Sequence, residues 1–204
     1  MLKKRISIIS GSIFLIIAFV LIFFPVQLTN FDMVITNTVY NSIPTINQLI
    51  AIITAFGNTS TVVIMVALVT IYLLIKKNYY SAIFLVFDSC LIASINKLIK
   101  TFVARPRPSV DHLVVANGYS FPSGHSASTM AFFLSLVFII CMLSTKKRTW
   151  LKLILLIIPF IIAFTRVYLG VHYFSDVVAG LSYSMAITIL VGSFYQSYVN
   201  NLIE

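Results

Sequence analysis

Charge is what this chain has least of. Only 9% of its 204 residues are charged, five of them acidic, where a soluble domain carries roughly a quarter. With 60% of residues hydrophobic, there is too little polar surface for an ordinary soluble enzyme, and the composition reads as a membrane protein. Cysteine is as scarce. Cys90 and Cys141 both lie inside apolar runs, so neither a disulfide framework nor a thiolate metal site can be built from them. There is no internal repeat and no low-complexity linker. Aromatics interleaved with basic residues are also missing, which sets nucleic acid aside as the partner of a net charge of +9.

What is present is a series of apolar runs closed by basic clusters. Lys3-Lys4-Arg5 precedes an uncharged stretch over 6–24, roughly 28 Å as a helix and close to the thickness of a bilayer core. The stretch ends in Phe23-Phe24-Pro25, not in small residues, so a retained anchor is expected and not a cleaved leader. Residues 26–57 read as an external connection, partly helical, with an amphipathic stretch over 44–56 at the interface. Further spans are expected over 59–75, 79–99, 123–143, 150–169 and 176–199. The fold class expected is therefore all-α: a six-span transmembrane bundle, with residues 1–204 as a single integral-membrane domain.

Charge counting orients it. With the N-terminus in the cytoplasm, nine of the fourteen basic residues fall at inner ends: Lys3, Lys4, Arg5, Lys76, Lys77, Lys146, Lys147, Arg148 and Lys152. Both termini are then cytoplasmic. The other five, Lys97, Lys100, Arg105, Arg107 and Arg166, gather at the outer face. Ionisable groups near a membrane mark function.

Three segments meet at that outer end. They are Lys100 with Arg107-Pro108; Pro122-Ser123-Gly124-His125; and Arg166 with His172 and Asp176. Lys100, Arg107 and Arg166 repel one another unless an anion neutralises them, and an arginine fork matches phosphate oxygens. Ser123 and Gly124 open a helix, whose free N–H groups suit the same anion. His172 and Asp176 are spaced i, i+4, which puts them on one helix face, and a carboxylate on one imidazole nitrogen leaves the other free to attack. His125, beside the anion, is placed to protonate a leaving oxygen. A histidine of ordinary pKa near ~6.5 suits both tasks. A metal held by His125, His172 and Asp176 is the rival reading, which the three cations oppose.

Taken together, these segments resemble the three-part signature of the type 2 phosphatidic acid phosphatase superfamily, with the core over 100–176. One departure is Thr165, where that family usually carries serine; the hydroxyl is kept. The resemblance implies a metal-independent phosphatase with no cofactor. It implies a phosphohistidine on His172, oriented by Asp176, with acid catalysis by His125. Lys100, Arg107, Ser123, Gly124 and Arg166 would hold the phosphate. The partners implied are a lipid phosphate substrate and membrane lipids. Undecaprenyl diphosphate is the first substrate expected and phosphatidylglycerophosphate the second. A transporter of lipid phosphates or small anions is the alternative from another class, but it has no need of the His172–Asp176 pair.

Outside the signature, Lys97 and Arg105 read as rim or lipid-headgroup contacts, and His112 as an interfacial side chain. Asp88, inside a span, calls for a basic partner. Gly180 and Ser184 have the spacing of a close helix–helix contact.

Overall fold

The computed structural model describes residues 2–144 and 148–203, so Lys146 and Lys147 of the inner cluster lie outside the described residues. Eight α-helices carry the fold: α1 Leu2–Phe23, α2 Pro25–Val39, α3 Asn47–Ala55, α4 Thr59–Ile75, α5 Tyr79–Val103, α6 Gly124–Leu143, α7 Thr149–Tyr168 and α8 Phe174–Ile203. No strand occurs among the described residues. An apolar helix satisfies its own backbone and needs nothing from lipid, which is why these sequences form helices. Five of them are long and apolar enough to cross a bilayer, and the helical stretch Pro44–Ala55 with α4, bent by 46°, makes a sixth when the pair is counted as one span.

Buried α6 and α8 form the centre, with α1 laid along α8, α7 against α6, and α5 on the far side. The close contact expected at Gly180 and Ser184 is present. A Cβ on Gly180 would lie 2.6 Å from the Ser123 carbonyl oxygen, and Ser184 Oγ donates to the Ala127 carbonyl at 2.8 Å. Lys3 bonds Gln196, so the start of α1 and the last turns of α8 share one end of the bundle.

Three sequence expectations change. The 26–57 stretch is mostly helix, and it is not peripheral. Asp32 and Thr36 of α2 and Ile50 and Thr54 of α3 are all buried, because α2 packs on α7 and α8 and α3 covers the end of α7. The third span runs past 99, so Lys100 sits on the last turn of α5, where a cation suits the helix dipole. Among the described residues Asp88 has no basic partner, since the basic residues lie toward the helix ends. Its Oδ2 accepts from Ser135 Oγ at 3.0 Å and Thr188 Oγ1 at 2.8 Å, tying α5, α6 and α8 together in mid-bundle.

Candidate active site

The three signature segments converge at the end of the bundle opposite Lys3 and Gln196. They enclose a cleft of about 630 Å³ whose walls include Lys100, Arg107, Gly124, His125, Arg166 and His172. Each side chain arrives on a different support. Lys100 comes from the last turn of α5 and donates to the Tyr119 and Ser120 carbonyls at 2.6 and 3.2 Å. Arg107 comes from the 104–123 loop. It is strapped to that loop's own backbone, with Nε on the Gly118 carbonyl at 3.0 Å and Nη2 on the Asn117 carbonyl at 2.8 Å. Its Nη1 donates to the Val171 carbonyl at 2.6 Å.

Arg166, on the last turn of α7, is 4% exposed. Its Nη1 donates to Thr54 Oγ1 at 2.7 Å, while its Nε–H has no partner among the described residues. A buried donor without an acceptor costs stability, and an anion in the cleft would relieve that cost. Thr165 beside it donates its hydroxyl to the Ile162 carbonyl at 2.6 Å, so the threonine in place of serine acts within the helix.

Ser123 and Gly124 divide their tasks. Ser123 is fully buried. Its N–H donates to the Asp176 carbonyl at 3.0 Å, and its Oγ accepts the Ser126 backbone N–H at 3.4 Å, capping α6, as well as the Ser126 hydroxyl at 2.9 Å. Gly124 is the one of the two that faces the cleft. His125 follows, with Nε2 2.9 Å from Asn58 Oδ1. Gly57 lies against the same ring; a Cβ there would meet His125 Cδ2 at 2.8 Å.

His172 and Asp176 do not share a helix face. His172 is in the turn before α8, and Asp176 is in the first turn of α8. Gly170, at φ +71°, turns the chain so that His172 returns over the helix start. The Asp176 carboxylate takes the Tyr173 N–H at 3.0 Å and the Ser120 hydroxyl. His172 Nδ1 lies 3.3 Å from Ser120 Oγ and 3.5 Å from Asp176 Oδ2. The imidazole is thus linked to its carboxylate largely through Ser120. Burial pushes the His172 pKa down to about 3 against the opposing pull of Asp176. The ring is neutral at pH 7, far from the ordinary titration expected from sequence.

Arg105 corrects an expectation. It is neither rim nor headgroup contact: it is 5% exposed and bridges Asp32 and Asp176 at 2.8 and 2.7 Å. Lys97 is exposed at the cleft wall, and His112 is exposed with a contact to the Pro108 carbonyl. Sequence reasoning also passed over Asp32, Thr54, Asn58 and Ser120. The one available signal was the scarcity of acids, which makes Asp32 in an apolar helix conspicuous. Among the described residues, no group of three or more His, Cys, Asp or Glu is gathered to hold a metal ion.

An all-helical membrane bundle whose cleft is lined by three cations and two histidines suits a membrane phosphatase. The profile of the PAP2 superfamily matches residues 81–199, and the chain belongs to that family. It is similar to phosphatidylglycerophosphatase B of Bacillus subtilis, with 25% identity over 74% of this chain and 76% of the relative. It is also similar to an undecaprenyl-diphosphatase of Sulfolobus acidocaldarius, with 24% identity over 69% of this chain and 66% of that protein. The crystal structure of a transmembrane PAP2-type phosphatidylglycerolphosphate phosphatase from Bacillus subtilis superposes with a TM-score of 0.86. That match covers 94% of this chain and 96% of the other, at 24% identity.

Proposed function

We propose that this PAP2 membrane phosphatase removes a terminal phosphate from a lipid phosphate or diphosphate through a phosphohistidine on His172. The observation that carries the reading is the Arg166 Nε–H, buried and unpartnered, in a cleft shared with Lys100, Arg107 and a neutral His172. The cations and the Gly124 backbone bind the phosphoryl oxygens, and most of the rate comes from charge stabilisation as the phosphoryl group moves. His172 Nε2 forms a bond to phosphorus as the bond to the leaving oxygen breaks, and His125 gives that oxygen its proton. Asn58 Oδ1 accepts the Nε2–H of the His125 ring, so the proton transferred is the one Nδ1 carries in the imidazolium form. Water then attacks phosphorus as the Nε2–P bond of His172 breaks; His125 takes the water's proton and returns to imidazolium, and inorganic phosphate leaves.

Two lipids head the substrate list, each acted on by a relative: phosphatidylglycerophosphate and undecaprenyl diphosphate. We place the cleft on the extracytoplasmic side and both termini in the cytoplasm. Basic clusters at the opposite end of the bundle support this orientation. The test is phosphate release from each lipid by the purified chain in detergent with EDTA. Release from one or both is expected. No release from any lipid phosphate, or activity that needs added Mg²⁺, would reject the reading.

A further inference from the structure

The carboxylate that serves His172 is itself held from behind. Arg105 does not line the cleft. Its guanidinium lies over the Tyr173 ring, 4.0 Å from the centroid, and its hydrogen bonds point away from any substrate. Nη1 donates to Asp176 Oδ1 at 2.7 Å and to Ser175 Oγ at 2.8 Å. Nη2 donates to Asp32 Oδ2 at 2.8 Å. Asp32, from α2, continues the chain of contacts. Its Oδ1 accepts the Ser175 N–H at 2.9 Å, and its Oδ2 accepts the Ser175 hydroxyl at 2.5 Å. A side chain of α2 thereby caps the first turn of α8, the turn that carries Asp176.

We propose that Arg105 and Asp32 act as a positioning pair that fixes the orientation and charge of Asp176, and through it the reactivity of His172. The proposal rests on the assignment of His172 as nucleophile and deepens it. Orientation comes first. With Oδ1 bound to Arg105, Asp176 presents Oδ2 to Ser120 and His172. Charge comes second. Positive charge develops on the imidazole as Nε2 takes the phosphoryl group, and Asp176 stabilises it. An arginine alone would draw that negative charge to itself. Asp32 shares the guanidinium and returns part of the charge to Asp176. The other charged groups around His172 are Lys100 of α5, Arg107 of the loop, His125 of α6 and Arg166 of α7, all on the cleft side. Arg105 and Asp32 are the charged groups behind it. Buried ion pairs seldom stabilise a protein more than apolar residues of the same size, so stability alone gives little reason for one here.

The experiment compares Arg105→Gln, Asp32→Asn, the double variant and His172→Ala in the full-length protein. Each variant is measured for kcat, KM, inhibition by inorganic phosphate and melting temperature. Arg105→Gln leaves both Asp32 and Asp176 without their cation, so stability falls, whereas Asp32→Asn leaves Arg105 paired with Asp176 and costs less stability; kcat falls in both, by roughly 10- to 100-fold. The double variant relieves Asp32 but leaves Asp176 without its cation. Its melting temperature should recover part of the loss seen in Arg105→Gln, while kcat stays at least roughly tenfold low. KM and phosphate inhibition should hardly move, since neither residue faces the cleft. Arg105→Lys keeps the charge but cannot fork between two carboxylates, and should recover only part of the rate. Recovery of kcat together with stability in the double variant would overturn the proposal and leave a purely structural pair. So would a change in phosphate inhibition larger than the change in kcat. Full activity in His172→Ala would instead overturn the nucleophile assignment, and this inference with it.

Discussion

Nη1 of Arg107 lies 3.3 Å from Nε2 of His172. A guanidinium has no lone pair to offer, so this ring nitrogen is the acceptor and carries no proton. The proton of the neutral ring is then on Nδ1, facing Ser120 and Asp176. His172 is held in the tautomer a nucleophile needs, with its lone pair directed at the group that would bind phosphate.

His172→Ala should therefore lower kcat by at least roughly 10³-fold, and Asp176→Asn by roughly 10²- to 10⁴-fold with a measurable residue. Steady-state phosphate release checks both. Burial holds the His172 pKa near about 3, so kcat/KM should show no titration of this group near pH 6.5. The sign for stability follows from the same shift. The unfolded chain takes up a proton below about 6.5, which the folded site resists, so His172 makes the fold less stable as pH falls through that window. A melting temperature indifferent to pH between 7 and 4 would count against a buried neutral ring.

If Arg166 holds the phosphoryl group as proposed, it does so through geometry as well as charge. Arg166→Lys removes the unpartnered Nε–H and the fork, and should lower kcat more than roughly tenfold. Thr54→Val frees the side chain from its one bond to α3 and should cost a few-fold, roughly the worth of a single hydrogen bond to a charged group. Equal activity in wild type and both variants would mean that a diffuse positive field suffices.

Gly57 tests how closely His125 is packed. A Cβ at this position would meet Ile162 Cγ2 at 2.7 Å and His125 Cδ2 at 2.8 Å. Gly57→Ala must displace one of them. It should destabilise by roughly 1–3 kcal/mol and lower kcat several-fold through the misplaced ring. Thermal melts alongside kinetics separate the two effects. An unchanged kcat would show that the ring position is not critical.

Orientation is open to a chemical test. In a background with Cys90 and Cys141 replaced, a cysteine at Asn117, exposed beside the cleft, should react in intact cells with a membrane-impermeant maleimide. One at Lys76, exposed at the other end, should react only after permeabilisation. The reverse pattern would put the cleft in the cytoplasm.

The signature residues were legible because short spacings fix them to particular turns and helix ends, and alternating spans bring such ends together. Ser123, Gly124 and His125 need only a helix start at that point. The partners were not legible, because a side chain's contacts across the bundle leave no mark in its own neighbourhood. Arg105, just before a proline in a polar stretch, looks solvated; its carboxylate Asp32 lies 73 residues away. Thr54 and Asp32 were hidden for a second reason: the 26–57 stretch has the composition of a connection, and only packing makes it part of the bundle. The i, i+4 spacing anticipates the nearness of His172 and Asp176 but not its geometry, since a turn and a helix start bring them as near as a helix face would.

The matched family segment begins at residue 81, yet Asp32, Thr54, Gly57 and Asn58 all come before it. Those four are therefore made first. At typical rates of about 5–20 residues per second, a ribosome that has added Asp32 needs roughly 4–15 s to reach Arg105. Through that interval the acid has no base. It must remain in contact with water or carry a proton, because an unpaired carboxylate is too costly to bury. With its charge kept, Asp32 can be buried only after Arg105 has left the translation machinery, so the ion pair behind the cleft forms as a late step of biogenesis, timed by the arrival of a single guanidinium.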